Sequence, residues 1–260
     1  MDTNDIEASV ITTCKGRLQH LKQSLPTMLA QSCQFNYEVI VVDYGCPQGT
    51  FDWLRTLDAR SVVAVRVIDG VEWFNLARAR NCGASLAQGK VFAFVDADIR
   101  LTCGWLADVT APIAQGQVGL CEAGDTQGWD CCGTCAVAAR LYHRVRGYDE
   151  AFCGWGNDDC DFYERCQAYA GRARFNLGLL SPIRHQDDQR VAHYAEKSIL
   201  DSSRSNTEYL GQRCGINPQG YGLGQFEVHR GVQSLDWAAA WVSETRMRPA
   251  RHQRSGKMPW

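Results

Sequence analysis

The first hundred residues alternate between two hydrophobic periods. Ala8–Cys14 is a short apolar run rich in β-branched residues, and Leu18–Gln31 carries Leu21, Leu25, Met28 and Leu29 at helical spacing. Tyr37–Asp43 is almost continuously apolar, the pattern of a strand buried on both faces, and Ser61–Asp69 predicts a third strand. Asn75–Gln88 predicts a helix with Leu76, Ala79, Cys82, Gly83 and Leu86 facing inward, closed by Gly89. Val91–Val95 predicts a fourth strand that runs straight into Asp96-Ala97-Asp98. Strands alternating with helices imply an α/β fold, a mostly parallel twisted sheet flanked by helices. Ligands on such sheets sit beyond the carboxyl ends of the strands, where Thr12-Thr13, Asp43 and Asp96-Ala97-Asp98 all fall.

The second half is less regular. Val118–Ala123, Thr134–Ala138 and Ala173–Leu180 predict strands, and Asp158–Tyr169 predicts a helix opened by acidic residues. From about Gly231 the composition shifts. The tail holds Arg246, Arg248, Arg251, Arg254 and Lys257 with two prolines, Trp237, Trp241 and a final Trp260. This pattern predicts a mobile or partner-dependent segment, and its basic and indole side chains suit peripheral contact with an anionic membrane surface.

Composition narrows the class. At 260 residues, 45% hydrophobic and 22% charged, the chain suits one substantial domain with an ample core. The net charge of −2 supplies no global field for nucleic acid. Apolar runs are strand-sized, far short of the roughly 20 residues of a membrane span. Met1–Glu7 is polar and acidic without a signal-peptide layout, so the expectation is a cytoplasmic protein, or a catalytic domain from a larger context. Thirteen cysteines, several in or beside apolar segments, read as free thiols acting as small hydrophobes. Cys132 and Cys135 form a lone CxxC, half of what a structural zinc site needs, and their state is left open.

Three constellations carry chemistry. Asp96 and Asp98 at a strand end place two carboxylates where both can face a hard cation that keeps open positions for phosphate oxygens; in isolation the same pattern also caps turns. Gly154-Trp155-Gly156-Asn157-Asp158-Asp159-Cys160-Asp161 sets a flat aromatic between permissive glycines, followed by acids that also favour a helix N-terminus. Such a loop suits sugar stacking, with carboxylates for sugar hydroxyls and proton transfer. His185, in Ile183-Arg184-His185, gains weight from that company, because Mn²⁺ accepts imidazole alongside carboxylate.

Together these segments, from about Ser9 to Tyr194, resemble the GT-A glycosyltransferases: family-two-like enzymes with a β-1,4-galactosyltransferase-type C-terminal motif. SVITTCKGRLQHL looks like the opening strand, turn and helix that hold the nucleotide, and EVIVVDYG like the second strand. FNLARARNCGASLAQGKVFAFVDADIRL is similar to the helix leading into the DxD strand. CGTCAVAARLYHRVRGYDEAFCGWGNDDCDFYERC and PIRHQDD match the family's acceptor and metal segments. The resemblance implies a single catalytic domain over 1–230, with its nucleotide half at about 8–100, its acceptor and metal half at 101–230, and a tail at 231–260. It implies a sugar, hexose or N-acetylhexosamine, moved from a UDP-sugar to an acceptor hydroxyl with inversion.

The implied roles follow residue by residue. Asp98 and His185 would ligate a divalent metal, Mn²⁺ or else Mg²⁺, and Asp96 would support it and the donor ribose. Asp159 would be the catalytic base, with Asp158 beside it holding the acceptor. Thr12, Arg17, Asp43, Phe74, Arg78 and Trp155 would surround the donor. The acceptor would be a glycan, a lipid-linked sugar, a peptide or a small molecule. Where the family often has Gly-Glu-Asp this chain has Asn157-Asp158-Asp159, and Cys160 stands where another acid is common, which bears on the acceptor. A nucleotidyltransferase of related fold and a non-catalytic nucleotide-sugar-binding protein are the alternatives; a glycoside hydrolase gains nothing from a DxD at a parallel-strand end.

Overall fold

A computed structural model describes residues 5–57, 62–124, 131–213, 225–233 and 239–247. Its centre is β1 (Ile6–Cys14), a strand whose last seven residues are buried, as a run apolar on both faces requires. β1 pairs in parallel with β2 (Asn36–Asp43) on one side and β4 (Val91–Phe94) on the other, and β3 (Val62–Val67) extends the parallel run beyond β2. The crossovers are α1 (Leu18–Leu29), the short α2 (Thr50–Leu54) and α3 (Leu76–Ala84). The alternation read from the pattern is therefore present, each element within a few residues of its expected ends.

Beyond β4 the sheet is mixed, antiparallel at first and parallel in its last pair of strands. The chain makes β5 (Ile99–Leu101), α4 (Trp105–Ala114), β6 (Leu120–Glu122), β7 (Cys135–Ala138), α5 (Ala139–Arg144) and α6 (Asp158–Gln167). It continues through β8 (Arg172–Arg174), β9 (Leu180–Pro182), α7 (Asp187–Val191) and α8 (Ile199–Arg213) to a hairpin of β10 (Gln225–Gln233) and β11 (Ala239–Met247). The main sheet has the order β11-β10-β3-β2-β1-β4-β7-β6-β8, and β5 with β9 forms a separate antiparallel pair.

Two expectations are corrected. The strand expected over Ala173–Leu180 is broken: Asn176 caps a 3-10 turn at Leu177–Leu179 by accepting from the Gly178 N–H at 2.9 Å, so β8 joins the main sheet and β9 leaves it for β5. The tail expected from Gly231 begins as strand, because β10 runs on through Gly231 to Gln233 and pairs there with β11, while its earlier part, Phe226–Arg230, pairs antiparallel with β3. Its alternate residues Phe226 and Val228 are buried, and His229 packs edge-on to Phe51 at 4.7 Å, so side-chain contact holds β10 beside β3. Trp241 and Arg246 fall on β11, whereas Trp237, Trp260, Arg248, Arg251, Arg254 and Lys257 lie outside the described residues. No helix among the described residues is long and apolar enough to cross a membrane.

The core between β4 and α6 is aromatic. Tyr148 stacks on Phe162 at 4.2 Å, and Phe94 lies against Tyr142 and Tyr148. Opposite, α3 comes so close to β1 and β2 that a Cβ on Gly83 would lie 2.6 Å from Ile11 Cγ2 and 3.1 Å from Val42 Cγ2. Gly83→Val is therefore expected to overpack this seam and lower stability by about 1–3 kcal/mol in urea unfolding, despite relieving a helical glycine. An unchanged midpoint would show that α3 can move off the sheet without cost.

Candidate active site

Several segments of the chain converge at the carboxyl ends of β1 and β4. The turn after β4 presents Asp96 and Asp98, and the pairing of β5 with β9 brings the segment after β9 back to them: Ile183 N–H donates to Asp98 O at 2.7 Å. That register sets His185 Nε2 at 2.7 Å from Asp98 Oδ2. The imidazole also stacks on His20, and its Nδ1 lies 3.4 Å from Arg17 Nη2 and 3.3 Å from Gln186 O. Burial disfavours charge on Asp98, but the hydrogen bond and charge of His185, with Arg17 beyond, outweigh it and hold the carboxyl below its ordinary range.

The other side is built on α6. Asn157 takes a left-handed conformation (φ 69°) and its side chain reaches α8, donating to Thr207 Oγ1 at 2.9 Å and Ser203 O at 3.2 Å. Asn206 donates to Gly156 O at 2.8 Å, and Trp155 N–H donates to Ser202 Oγ. Helix α8 thus clamps the Gly-Trp-Gly loop, and α6 starts with Asp158 and Asp159 at its N-terminus, where the helix dipole favours acids.

One buried cation joins the two sides. Arg80 projects from α3 with a side chain only 2% exposed; its Nη2 donates to Asp96 Oδ1 at 2.9 Å and Gly133 O at 3.2 Å, and its Nη1 to Asp158 Oδ2 at 3.3 Å and to Asp159 Oδ1. Its guanidinium lies 4.8 Å from the centre of the Tyr148 ring. Burial opposes its charge, yet the carboxylates keep it firmly protonated. Acid still exceeds base here. Burial, then the charge of Asp159, raises Asp158 to about 7 against the pull of Arg80. Burial likewise raises Asp96 to about 6, with Arg80 opposing and Asp98 and Asp159 adding to it.

These groups line a cavity of about 300 Å³. Of the residues expected from sequence, it gathers Arg17, Asp96, Asp98 and His185 on the strand-end side. Asp158, Asp159, Trp155 and Phe74 complete it from the loop side, Phe74 stacked on Tyr194 at 5.5 Å. Three expected residues stand away from it. Thr12 is fully buried in β1 with its hydroxyl lacking a partner among the described residues, and its neighbour Thr13 faces the cavity instead. Asp43 accepts from the Cys46 N–H at 2.6 Å and the Phe51 N–H at 2.7 Å, which makes it a buried brace of the turn after β2. Arg78 points to the outer face of α3, paired with Asp69 at 2.9 Å and Tyr44 Oη at 3.0 Å.

The sequence and the fold match known proteins. Residues 9–129 fit the model of glycosyl transferase family 2, and residues 125–186 that of the N-terminal domain of galactosyltransferase. The chain carries a glycosyltransferase domain of the GT-A fold. The S. aureus TarS fragment 1–349 in complex with UDP-GlcNAc is 15% identical with a TM-score of 0.57, over 71% of this chain and 60% of that one. The mannosyltransferase PcManGT from Pyrobaculum calidifontis, in complex with GDP-Man and Mn²⁺, is 17% identical with a TM-score of 0.57, over 74% and 62%. An uncharacterized protein of Sinorhizobium fredii, y4gI, is 26% identical over 117 residues, 44% of this chain and 13% of that protein. The chain thus spans less than two thirds of the length of these relatives.

Within this glycosyltransferase domain, sequence reasoning missed Arg80, although the signal was present. Arg80 falls one turn after Leu76 and one before Gly83, on the face already assigned to the core; an arginine there demands buried acids. Removing it leaves those acids uncompensated, so Arg80→Ala is expected to cost about 3–5 kcal/mol, read by chemical unfolding. The raised Asp158 has the opposite sign. Its ionised form opposes folding, so its contribution is lost as pH rises from the ordinary carboxylate range through about 7. Asp158→Asn should therefore melt higher than wild type at pH 8, by a margin that shrinks with acidification and closes once the pH falls to the ordinary carboxylate range. A gap that does not grow with pH would refute the buried-acid assignment.

Proposed function

We propose that this domain transfers a sugar, a hexose or N-acetylhexosamine, from a UDP-sugar to an acceptor hydroxyl, with inversion at the anomeric carbon. One observation carries the reading: a single cavity has a carboxylate–imidazole pair on one wall and an acidic helix N-terminus on the other, both tied to Arg80 or its partners. Relatives solved with UDP-GlcNAc and with GDP-Man support a nucleotide-sugar donor.

The residues present fit a divalent cation. Asp98 and His185 bring an oxygen and a nitrogen donor together, and four carboxylates face the cavity, two of them shifted up by burial with neighbouring acids adding to it. No group of three or more His, Cys, Asp or Glu among the described residues could hold a metal ion by itself, so diphosphate oxygens and water would have to supply the other ligands. Asp98 and His185 would hold Mn²⁺ or Mg²⁺, which when bound supplies charge stabilisation to the departing diphosphate.

The chain's own groups supply the rest. Asp159, the more exposed of the acidic pair, is the general base that takes the proton from the attacking acceptor hydroxyl. Asp158 sits deeper and positions that hydroxyl, while Trp155 and Phe74 cover the sugar and keep water from the donor. Arg17 faces the diphosphate from the turn after β1. The acceptor is a glycan, a lipid-linked sugar, a peptide or a small molecule bearing a free hydroxyl.

The direct test is a panel of nucleotide sugars with Mn²⁺ or Mg²⁺, read by nucleoside-diphosphate release and thermal shift. Metal-dependent response to a UDP-sugar is expected; silence toward every donor would point to a non-catalytic binding protein. Asp159→Asn should abolish transfer while donor affinity by calorimetry stays within a few-fold. Asp98→Ala and His185→Ala should instead lose the metal-dependent part of donor binding. Proton NMR of the product's anomeric signal reports inversion directly.

A further inference from the structure

Behind the wall of the cavity lies a pair of thiols that the transfer chemistry does not use. Cys14 ends β1 and is fully buried; Cys46 follows β2 in the adjacent loop and is 8% exposed. The strand ends hold them together: Cys14 is the register partner of Asp43, Tyr44 N–H donates to Cys14 O at 3.0 Å, and Asp43 grips the Cys46 N–H at 2.6 Å. The two turns interlock at the sulfurs: Cys14 Sγ lies 3.2 Å from Oγ1 of Thr50, in the segment after Cys46, and Cys46 Sγ meets the N–H of Gly16, in the turn after Cys14.

Their environments differ in the way an attacking and a resolving thiol require. Cys46 Sγ accepts the Gly16 N–H at 3.1 Å, a contact suited to a thiolate. Lys15 wraps the same loop through the carbonyls of Tyr44 and Gly45, bringing a cation near it, and Asp43 is the opposing charge. The neighbouring Cys14 thiol lowers Cys46 to about 5 despite burial, with Thr50 and backbone N–H groups helping, and Cys46 together with burial raises Cys14. A thiolate within reach of a neighbouring thiol is the arrangement of thiol–disulfide exchange.

We infer that Cys14 and Cys46 form a reversible disulfide, with Cys46 attacking a small-molecule disulfide and Cys14 resolving the adduct. In the first step the Cys46 sulfur bonds one sulfur of the reagent and the reagent's S–S bond breaks, releasing one thiolate. In the second, Cys14 loses its proton to that thiolate and attacks the Cys46 sulfur, expelling the other half of the reagent. Two protein thiols are oxidised by two electrons, and one reagent disulfide becomes two thiols. The product ties the turn carrying Lys15 and Arg17, both on the cavity wall, to the loop after β2. The inference is independent of which sugar, or whether any, is transferred.

The test uses the whole reduced chain and glutathione disulfide at neutral pH, with acid quench, alkylation of remaining thiols, digestion and mass spectrometry. A Cys14–Cys46 cross-link should accumulate ahead of modification at the exposed Cys103 and Cys153, and dithiothreitol should reverse it. Cys14→Ser should arrest the reaction as a Cys46–glutathione mixed disulfide, and Cys46→Ser should leave Cys14 unmodified, with melting curves confirming that both variants fold. Full alkylation of Cys46 while Cys103 and Cys153 carry glutathione would overturn the inference. So would a wild-type mixed disulfide at Cys46 that persists beside a free Cys14.

Discussion

The site depends on a single buried guanidinium. Arg80 touches the strand end through Asp96 and the helix start through Asp158 and Asp159, with a carbonyl at Gly133 and a ring at Tyr148 closing its remaining sides. Taking such a cation out of water costs several kcal/mol, offset only when its donors are matched by acceptors in good geometry. A planar five-donor fork suits that task; the ammonium of lysine is a point charge that cannot span three carboxylates in different directions. The same contact sets two distances at once, from α3 to the turn after β4 and from α3 to α6. Loss of register on either side leaves a charge unpaired, so the ion cluster specifies geometry more than it adds stability.

Around that pivot the topology divides the work. Parallel strands β1 and β4 end side by side and deliver Thr13, Arg17, Asp96 and Asp98 to one rim. The small β5–β9 pair is a separate device: three residue pairs are enough to return the chain so that His185 meets Asp98. A short antiparallel ladder is stiff over that span, which explains how a histidine 87 positions away sits at hydrogen-bond distance from its carboxylate.

Sequence periodicity revealed the parallel half of the fold because strands buried on both faces leave continuous apolar runs, and helices such as α3 leave a 3.6-residue stripe. Motif composition brought forward most of the cavity, since Asp98, His185 and Trp155 sit in loops whose composition no packing requirement explains, and Asp159 opens the helix that follows Trp155. Local pattern failed where tertiary contact overrides it. Asp43 and Thr12 lie at strand ends and so matched a ligand-facing expectation, but strand alternation points Thr12 into the core, and two backbone N–H groups draw Asp43 into its own turn. Helix α8 is mostly polar, with Ser202, Ser203, Asn206 and Thr207 on the face that grips the loop, so its packing surface carries no hydrophobic signature.

That polar grip is separate from the charged frame. The matched segments end at residue 186 and already contain Arg80, both DxD aspartates, the acidic helix start and His185. Everything that closes the cavity from outside, including Gln189, Tyr194 and the α8 side chains behind Trp155, lies beyond that limit. Gly154 shows how tight the closure is, since at its φ of 76° a Cβ would fall 2.0 Å from Ser202 Oγ. The charged frame and the closure of the cavity thus rest on separate contacts: Arg80 holds the acids, and α8 holds the loop that carries Trp155. Under the proposed transfer the hydrogen bonds between α8 and the Gly-Trp-Gly loop can change without disturbing the ion cluster beneath, which makes that loop the adjustable wall of the cavity.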